Sequence, residues 1–270
     1  MNDPFRLSGE AAVVSGALGR LGPVWSKALL GAGANVLALD LPGTPPSPEF
    51  EKLAAQYDET RLKLATADVR DRPALEAACE ECVDRFGVPF VLVNNAGIDR
   101  PPVAQGPEPR LEDIPIEMNR QIFDVNVLGV FLVSQVFGGR MVTARRGAIV
   151  NIGSLYASVS PDPRFYDHIG GEPPFLKPPA YGASKAAVVN LTRYLSTLWA
   201  PRGVRVNALS PGGVLGTQDE EFKRKFVDRV PLGRMATNED LGGPLLFLAS
   251  PISSYVTGIE LMVDGGYTAW

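Results

Sequence analysis

Histidine and cysteine are scarce in this chain of 270 residues, which has one histidine, His168, and two cysteines, Cys79 and Cys82. A zinc site usually needs three or four His, Cys or carboxylate ligands, and a Ser-His-Asp triad needs a histidine base. This composition therefore disfavours metal-dependent hydrolysis and triad chemistry. We expect no metal site, and we expect any acid–base catalysis to use another residue type.

The two cysteines form a C-x-x-C pattern inside the stretch ALEAACEECVDRFG, whose apolar spacing is that of an amphipathic helix. The sequence has no second cysteine pair to complete a metal site, and a redox motif would stand at a helix start after a strand. We interpret Cys79 and Cys82 as ordinary helix residues that stay reduced in a cytosolic setting.

An excess of charge of one sign and long apolar runs are also missing. Lys and Arg total 26 against 30 for Asp and Glu, a net charge of −4, and the basic residues form no cluster. We therefore predict no nucleic-acid partner. No apolar run approaches about 18 residues, and the N-terminal MNDPFRLSGE lacks the basic start and apolar centre of a signal peptide. These absences predict a cytoplasmic protein without a membrane span.

Short apolar runs alternate with longer stretches of helical periodicity along the chain. The helical stretches are GRLGPVWSKALLGAG, ALEAACEECVDRFG, the segment from Leu111 to about Arg145, AYGASKAAVVNLTRYLSTLWA and EDLGGPLLFLAS. Seven runs are typical of strands: AAVVSG, ANVLALD, RLKLATAD, PFVLVNNAG, GAIVNIGS, VRVNALSPG and IELMVDGG. Uniformly apolar strands separated by helices indicate a parallel sheet covered on both faces. We predict a single doubly wound α/β domain of the Rossmann type over residues 1–270, with about seven strands.

Two proline-rich stretches, 99–115 and 157–179, interrupt this alternation. Proline disfavours both a long helix and a central strand there. Each stretch follows the carboxyl end of a predicted strand, which is where ligands bind in open α/β sheets. We predict that both form walls of a substrate pocket, and that 157–179 is an inserted substrate loop.

A glycine-rich turn, SGALGRLG, follows the first strand and opens a helix. Glycines let the backbone approach a pyrophosphate, and the helix N-terminus supplies amides and a dipole to the anion. Asp40 ends the second strand, where a carboxylate can accept both ribose hydroxyls and repels a 2′-phosphate. This favours NAD over NADP, although the nearby Arg20 guanidinium could pair with a phosphate.

Together with later motifs, this turn resembles that of the short-chain dehydrogenase/reductase family, and the resemblance covers nearly the whole chain. The motifs are Asp68-Val69, Asn94-Asn95-Ala96-Gly97, Asn126 in DVNVLG, Ser154 in VNIGS, Tyr181-Gly182-Ala183-Ser184-Lys185, Pro211-Gly212 and Asp264-Gly265-Gly266. The resemblance implies a homo-oligomeric oxidoreductase, a tetramer or dimer, that uses a nicotinamide dinucleotide.

The resemblance also implies which residues hold this cofactor. They are Gly16, Gly19, Arg20, Leu21 and Gly22 in the turn, Asp40, Leu41, Asp68, Val69, Asn95, Ala96 and Gly97 around the adenosine, and Tyr181, Lys185, Pro211, Gly212, Val214 and Thr217 around the nicotinamide side. Two positions depart from the family pattern. Arg20 stands where the family has its middle glycine, and Thr217 comes one residue late in PGGVLGT.

Tyr181 and Lys185 are four residues apart on a predicted helix, so their side chains share one face. An ammonium group and an oxidised nicotinamide would together stabilise a tyrosine phenolate and lower its pKa from about 10. We expect Tyr181 to exchange a proton with the substrate and Lys185 to bond the nicotinamide ribose. Ser154, at the end of the fifth strand, is expected to hold the substrate oxygen. The resemblance implies that Asn126 interrupts its helix and anchors a water linking Lys185 to solvent.

The substrate prediction rests on the insert. Ser154 and Tyr181 are 27 positions apart, about 14 more than the family motif usually has. The pattern SLYASVSPDPRFY resembles a branch of the family that acts on sugars and sugar-derived acids. A polar insert would suit a small polyhydroxylated substrate. The candidate substrate contacts are Ser154, Tyr156, Arg164, Tyr166, His168, Asp99 and Arg100, each with the alternative of a solvated loop residue.

We therefore predict an NAD-dependent dehydrogenase that oxidises a secondary alcohol on a sugar, a sugar acid or another small polar molecule. One alternative is an NADPH-linked reductase of 3-oxoacyl thioesters, which would want a basic residue where Asp40-Leu41-Pro42 offers none. A non-catalytic dinucleotide sensor is the other alternative. The presence of Ser154, Tyr181 and Lys185 together disfavours it.

Overall fold

A seven-stranded parallel sheet forms the centre of the computed structural model of this chain, which describes residues 4–100, 109–169, 171–172 and 175–270. The strands are β1 (Ala11–Ser15), β2 (Asn35–Asp40), β3 (Leu62–Thr66), β4 (Pro89–Asn94), β5 (Gly147–Ile152), β6 (Val204–Pro211) and β7 (Glu260–Val263). Their order is β3-β2-β1-β4-β5-β6-β7. This confirms the predicted doubly wound sheet, whose order reverses between β1 and β4.

Helices cover both faces of this sheet. Within the described residues they are α1 (Gly22–Gly31), α2 (Pro48–Ala54), α3 (Arg72–Phe86), α4 (Ile116–Phe123), α5 (Val130–Val133), α6 (Gly139–Ala144), α7 (Pro179–Trp199), α8 (Glu220–Val227) and α9 (Glu239–Ala249). The helical periodicities predicted α1, α3, α7, α9 and the segment containing α4 to α6. Neither α2 nor α8 was predicted.

The helices α4, α5 and α6 follow one another as one long helix, Ile116–Ala144, with π-helical segments at Asp124–Gly129 and Ser134–Gly138. The sequence predicts no membrane span, because polar residues interrupt the apolar run of this helix. By length and composition this one helix, among the described residues, could cross a membrane, and half of its most apolar window is buried in the fold. It packs beside α7 and against the sheet.

Two apolar cores lie on opposite faces of the sheet. One contains α1 and α9, with Trp25 at its centre, and the other contains α3, the long helix and α7. Cys79 and Cys82 are free thiols buried in the second core, on α3 as predicted. Burial raises the pKa of Cys79 to about 11 and that of Cys82 to about 12. Both thiols therefore stay protonated and pack as apolar groups.

The strand register brings the carboxyl ends of the central strands to one edge. Asn94 of β4 pairs with Asn151 of β5, and its side-chain Nδ2 donates to Asn151 Oδ1 at 2.7 Å. The Asn151 amide donates in turn to Thr192 of α7 at 2.8 Å. This buried network fixes α7 to the sheet edge where ligands bind in such folds.

The two proline-rich stretches both follow this edge, as predicted. Residues 101–108 of the first stretch, and 170, 173 and 174 of the second, lie outside the described residues. In the second stretch, the described residues form a loop with short 3₁₀ turns at Leu155–Ala157 and Pro163–Phe165.

Candidate active site

A cleft of about 820 Å³ opens at the carboxyl edge of the sheet. The predicted site residues that line it are Gly16, Gly19, Arg20, Leu21, Asp40, Leu41, Asp68, Val69, Asn95, Ala96, Gly97, Asp99, Ser154, Tyr156, Tyr166, Tyr181, Lys185, Pro211, Gly212 and Val214. Those that do not line it are Gly22, Arg100, Asn126, Arg164, His168 and Thr217. The structure therefore brings most of the predicted residues into one cleft.

The glycine turn is shaped to bring backbone close to a ligand. Gly16 has φ +65°, and a Cβ built there would lie 2.7 Å from the Ala96 Cα. Asn95 fixes the turn: its Nδ2 donates to the Gly16 carbonyl at 2.8 Å, and its Oδ1 accepts from Trp25 Nε1 at 2.8 Å. Gly22 does not line the cleft, and a Cβ built there would clash with the Ala17 backbone, which explains the glycine at that position.

The first turn of α1 has no side-chain cap at Leu21, so no side chain there satisfies its free amide groups. These amides and the positive end of the helix dipole suit an anion such as a pyrophosphate. The turn, with no Cβ at Gly16 and uncapped amides beside it, therefore fits a dinucleotide.

Arg20 does not point its guanidinium at this helix terminus. Its Nη2 donates to the carbonyls of Val214 and Leu215, at 2.6 Å each. The side chain thus connects the glycine turn to the loop after β6. In that loop Thr217 is exposed and Gln218 lines the cleft in its place, with Gln218 Nε2 donating to the Val214 carbonyl at 3.0 Å.

The two carboxylates predicted to bind the adenosine, Asp40 and Asp68, both line the cleft. Asp40 accepts from the backbone N–H of Leu18 and of Leu41, both at 2.8 Å, which holds the carboxylate against the glycine turn. Asp68 forms an ion pair with Arg70 at 2.6 Å, and this hydrogen bonding lowers the pKa of Asp68. Arg70 also lines the cleft and was not predicted.

Tyr181 lies in the first turn of α7, and Lys185 follows one turn later. The buried Lys185 Nζ donates to the Ile152 carbonyl at 2.8 Å and lies 5.9 Å from the centre of the Tyr181 ring. Ser154 follows β5, and its Oγ accepts from the Tyr156 N–H at 3.2 Å. Ser154 also lies close enough to the Tyr181 side chain to act against the rise of the tyrosine pKa.

We expect Lys185 and an oxidised nicotinamide together to lower the Tyr181 pKa, and the chain without the dinucleotide does not lower it. Burial raises the pKa of Tyr181 to about 12, and the Asp99 carboxylate adds to the rise. Burial also lowers the pKa of Lys185 to about 8, against the opposing effect of Asp99. The chain alone therefore keeps Tyr181 as a phenol, because a buried phenolate is poorly solvated.

Asn126 lies in the first π-helical segment and is fully buried. Its Oδ1 accepts from the Ile98 N–H at 2.8 Å, while its Nδ2 donates to the Ile98 carbonyl at 2.9 Å and to Ser184 Oγ at 3.0 Å. The side chain therefore ties the loop after β4 to α7, next to Lys185.

Aromatic rings cover the far side of the cleft. We call Tyr156, Tyr166, Phe175, Phe222 and Phe226 the aromatic wall, and all five line the cleft. Tyr166 lies 4.9 Å from Phe175 and 5.4 Å from Phe222 between ring centres. Tyr156 and Tyr166 are close enough to influence each other's pKa. Among the described residues of the insert, Tyr166, Ile169, Phe175 and Lys177 line the cleft, so the insert presents two rings, one aliphatic side chain and one ammonium, whereas we expected polar contacts.

Arg164 and His168 of the insert are each paired with a carboxylate. Arg164 pairs with Asp162 at 2.6 Å, and His168 Nε2 lies 2.7 Å from the Asp219 carboxylate. Asp219 lines the cleft, whereas Arg164 and His168, the two candidate substrate contacts, do not. Arg100 donates to the Leu176 carbonyl at 3.0 Å and lies 4.8 Å from the centre of the Phe175 ring.

Lys177, at the end of the insert, is a cleft residue that the sequence patterns did not predict. Its Nζ lies 2.5 Å from Asp99 Oδ2, 5.1 Å from the centre of the Tyr181 ring and 5.6 Å from that of Tyr156. Its position four residues before Tyr181 is the one sequence signal that could have found it.

Comparisons with known proteins agree with this geometry. A family model described as enoyl-(acyl carrier protein) reductase matches residues 16–268. A galactitol 2-dehydrogenase (L-tagatose-forming) from Cereibacter sphaeroides is 36% identical, with 98% of each chain covered.

Two solved structures are also similar. A short-chain dehydrogenase from Leptospira borgpetersenii with bound NAD⁺ has a TM-score of 0.84 at 30% identity, covering 99% of this chain and 96% of that one. A gluconate 5-dehydrogenase from Burkholderia cenocepacia, in complex with NADP and tartrate, has a TM-score of 0.82 at 29% identity, covering 99% and 98%. The first of these structures holds NAD⁺, and the second holds NADP and tartrate.

Proposed function

Because the chain belongs to the short-chain dehydrogenase/reductase family, we propose that it transfers hydride between NAD and a secondary alcohol or ketone of a polyol, a sugar or a sugar acid. One observation carries the proposal. Ser154, Tyr181 and Lys185 meet at the sheet edge, in the same cleft as the glycine turn.

The residues of the cleft divide between the dinucleotide and the substrate. The uncapped amides of α1 and the turn at Gly16 would hold the pyrophosphate. Asp40 would accept the adenosine ribose hydroxyls, Asp68 the adenine amine, and Lys185 would donate to the nicotinamide ribose. When bound, the dinucleotide supplies or accepts the hydride, which no side chain of the protein can do.

Three features support NAD over NADP. The Asp40 carboxylate is fixed at the ribose end by two backbone N–H groups, where it would repel a 2′-phosphate. The Arg20 guanidinium is engaged by the Val214 and Leu215 carbonyls, and Arg70 is paired with Asp68. Neither guanidinium is therefore offered to a phosphate at that position.

The remaining step is a proton transfer by the chain itself. In alcohol oxidation, the Tyr181 oxygen takes the proton of the substrate hydroxyl, and in ketone reduction the phenol returns it. Ser154, which lies close to Tyr181, would hold the substrate oxygen within reach. Asn126 would not touch the substrate. It would help to position Lys185, because it fixes the loop after β4 against α7.

The aromatic wall suits the carbon skeleton of a substrate whose hydroxyls face Ser154 and Asp99, since the C–H groups of a sugar pack well on aromatic rings. The same wall also suits a second candidate function, the NADPH-linked reduction of a ketone with an apolar substituent such as a 3-oxoacyl thioester. Its five rings are the observation that favours this second candidate.

A substrate panel distinguishes the two candidates. Purified protein is incubated with NAD⁺ or NADP⁺ and galactitol, D-glucitol, D-galactonate or D-gluconate, and with NADPH and acetoacetyl thioester, and NAD(P)H absorbance is followed. We expect NADH formation from at least one polyol or aldonate. Turnover of the thioester alone would favour the second candidate, and a higher melting temperature with NADP⁺ than with NAD⁺ would contradict the role of Asp40.

We also propose that the chain forms a homo-oligomer through the long helix and α7. Leu128, Phe131 and Leu198 on these helices are 58%, 38% and 51% exposed, which is unusual for large apolar side chains. Light scattering is expected to give a dimer or tetramer that Leu128→Glu weakens. A monomeric wild type would contradict this.

A further inference from the structure

Asp99 and Lys177 form an ion pair at the mouth of the substrate half of the cleft. Asp99 follows β4, and Lys177 comes from the insert just before α7, so the pair joins two segments 78 positions apart in the chain. The Lys177 side chain is 14% exposed and the Asp99 side chain 52% exposed. The ammonium is therefore largely withdrawn from water, while the carboxylate stays accessible to a ligand.

This pair lies close to the atoms that would react. Lys177 Nζ is 5.1 Å from the centre of the Tyr181 ring. The Asp99 charge raises the pKa of Tyr181 and also that of Tyr156 and Tyr166. A substrate whose hydroxyl meets Tyr181 must therefore place its neighbouring groups within the field of Asp99.

The other cations that line the cleft already have hydrogen-bond or ion-pair partners in the protein. Arg20 is bonded to the Val214 and Leu215 carbonyls, Arg70 to Asp68, and Lys185 to the Ile152 carbonyl. Among the residues that the structure describes in the cleft, Lys177 is thus the cation left for a substrate anion, and Asp99 already neutralises it. A carboxylate arriving there would gain from Lys177 only by displacing Asp99.

We propose that the Asp99–Lys177 pair is a specificity determinant that makes the cleft prefer neutral polyols to the corresponding aldonates. A hydroxyl group can donate to the Asp99 carboxylate and accept from the Lys177 ammonium at the same time, so it fits the pair without breaking it. An aldonate carboxylate can only accept, and Asp99 repels it. This inference rests on the proposed function, because it concerns the substrate of the same site.

The test compares each polyol with its own aldonate: galactitol with D-galactonate, and D-glucitol with D-gluconate. The measured quantity is the ratio of kcat/KM for polyol to kcat/KM for aldonate. Asp99→Asn removes the repelling charge and should lower this ratio about tenfold, since one unit charge near a partly solvated carboxylate has an effect of that order. Lys177→Gln leaves Asp99 unpaired and should raise the ratio by a similar factor.

The double variant, Asp99→Asn with Lys177→Gln, removes both the repelling carboxylate and the attracting ammonium, so its ratio should lie below that of the wild type and above that of Asp99→Asn. Glu76→Gln is the matched control, because it removes one carboxylate from an exposed ion pair with Arg72 on α3, outside the cleft. The control should leave the ratio unchanged. Calorimetry of each variant with NAD⁺ shows whether dinucleotide binding is intact.

Two outcomes would overturn the inference in distinguishable ways. If the wild type oxidises polyols but Asp99→Asn and Lys177→Gln leave the ratio within about twofold of wild type, the specificity role is wrong and the proposed function stands. If the wild type binds NAD⁺ but turns over neither the polyols nor the aldonates, the proposed function fails and this inference fails with it.

Discussion

Lys185 and Tyr181 share one face of α7, yet the Lys185 ammonium donates to the Ile152 carbonyl at 2.8 Å and lies 5.9 Å from the centre of the Tyr181 ring. The lysine is thus anchored to the end of β5. Burial lowers its pKa to about 8 and raises that of Tyr181 to about 12. Without a ligand, Tyr181 is therefore a neutral phenol at neutral pH, while Lys185 is closer to losing its proton than an ordinary lysine but still mostly charged.

The burial of Lys185 predicts a pH dependence of stability. Its folded-state pKa of about 8 lies below the ordinary value of 10.5. Between these two values the unfolded chain binds more protons, so the free energy of unfolding rises with pH, by at most about 1.4 kcal/mol per pH unit. In Lys185→Met this contribution to the slope should disappear, whereas Lys52→Met, at an exposed position of α2, should retain it. Urea denaturation of the three proteins across this pH range measures the slope, and equal slopes would contradict the assignment.

Gly16→Ala should destabilise the fold and impair dinucleotide binding. Alanine is strained at φ +65°, and its Cβ would lie 2.7 Å from the Ala96 Cα, so we expect a loss of about 3 kcal/mol. Gly31→Ala is the control, because no atom lies within 4 Å of a Cβ there, and it should stabilise the protein by up to about 1 kcal/mol. Urea denaturation measures the free energy of unfolding of both variants, and calorimetry measures their NAD⁺ affinity. Equal effects in the two variants would show that the space between Gly16 and Ala96 is not limiting.

Asp40→Asn should change cofactor preference. The substitution removes the charge that would repel a 2′-phosphate but retains an oxygen that can accept from the Leu18 N–H. We expect the affinity for NADP⁺ relative to NAD⁺ to rise about tenfold, as measured by calorimetry. Glu49→Gln in the first turn of α2 removes a carboxylate away from the cleft and serves as the control. An unchanged ratio in Asp40→Asn would show that this carboxylate does not discriminate.

Truncation of Tyr166 should raise KM, whereas truncation of His168 should not. The Tyr166 ring lines the cleft against Phe175 and Phe222, so Tyr166→Ala should raise KM about tenfold through lost packing. His168 pairs with Asp219 and does not line the cleft, so His168→Ala should leave kcat and KM within about twofold of wild type. Steady-state kinetics measure kcat and KM of each variant. Tyr166→Phe retains the ring and should keep KM close to that of the wild type. A larger KM effect at His168 would restore its predicted role in the substrate site.

Local patterns predicted the strands and the central chemistry because both depend on short segments. An apolar run bounded by turn residues is a strand wherever it lies in the sheet, and parallel strands align their carboxyl ends. Ser154, at the end of β5, and Tyr181, in the first turn of α7, therefore had to meet at one edge. No knowledge of distant contacts was needed to place them there.

The substrate half depends on contacts between distant segments, which no local pattern encodes. Phe222 and Phe226 lie on α8, whose sequence EEFKRKFV has the charge of an exposed segment. Their ring partner Phe165 comes from the insert, more than fifty positions earlier. Arg164 and His168 were candidate substrate contacts because they are polar residues of the insert. The sequence does not show that Arg164 pairs with Asp162 and His168 with Asp219. The sequence also does not show that the Arg20 guanidinium donates to the Val214 and Leu215 carbonyls.

The measurement that tests the central proposal most directly compares Tyr181→Phe with Tyr194→Phe, an exposed tyrosine of the same helix. Polyol oxidation by each variant is followed as NADH formation, and NAD⁺ affinity is measured by calorimetry. Tyr181→Phe should reduce kcat by about a thousandfold while the NAD⁺ affinity stays within about twofold, since only the proton acceptor is lost. Tyr194→Phe should match the wild type. Wild-type turnover by Tyr181→Phe would contradict the account.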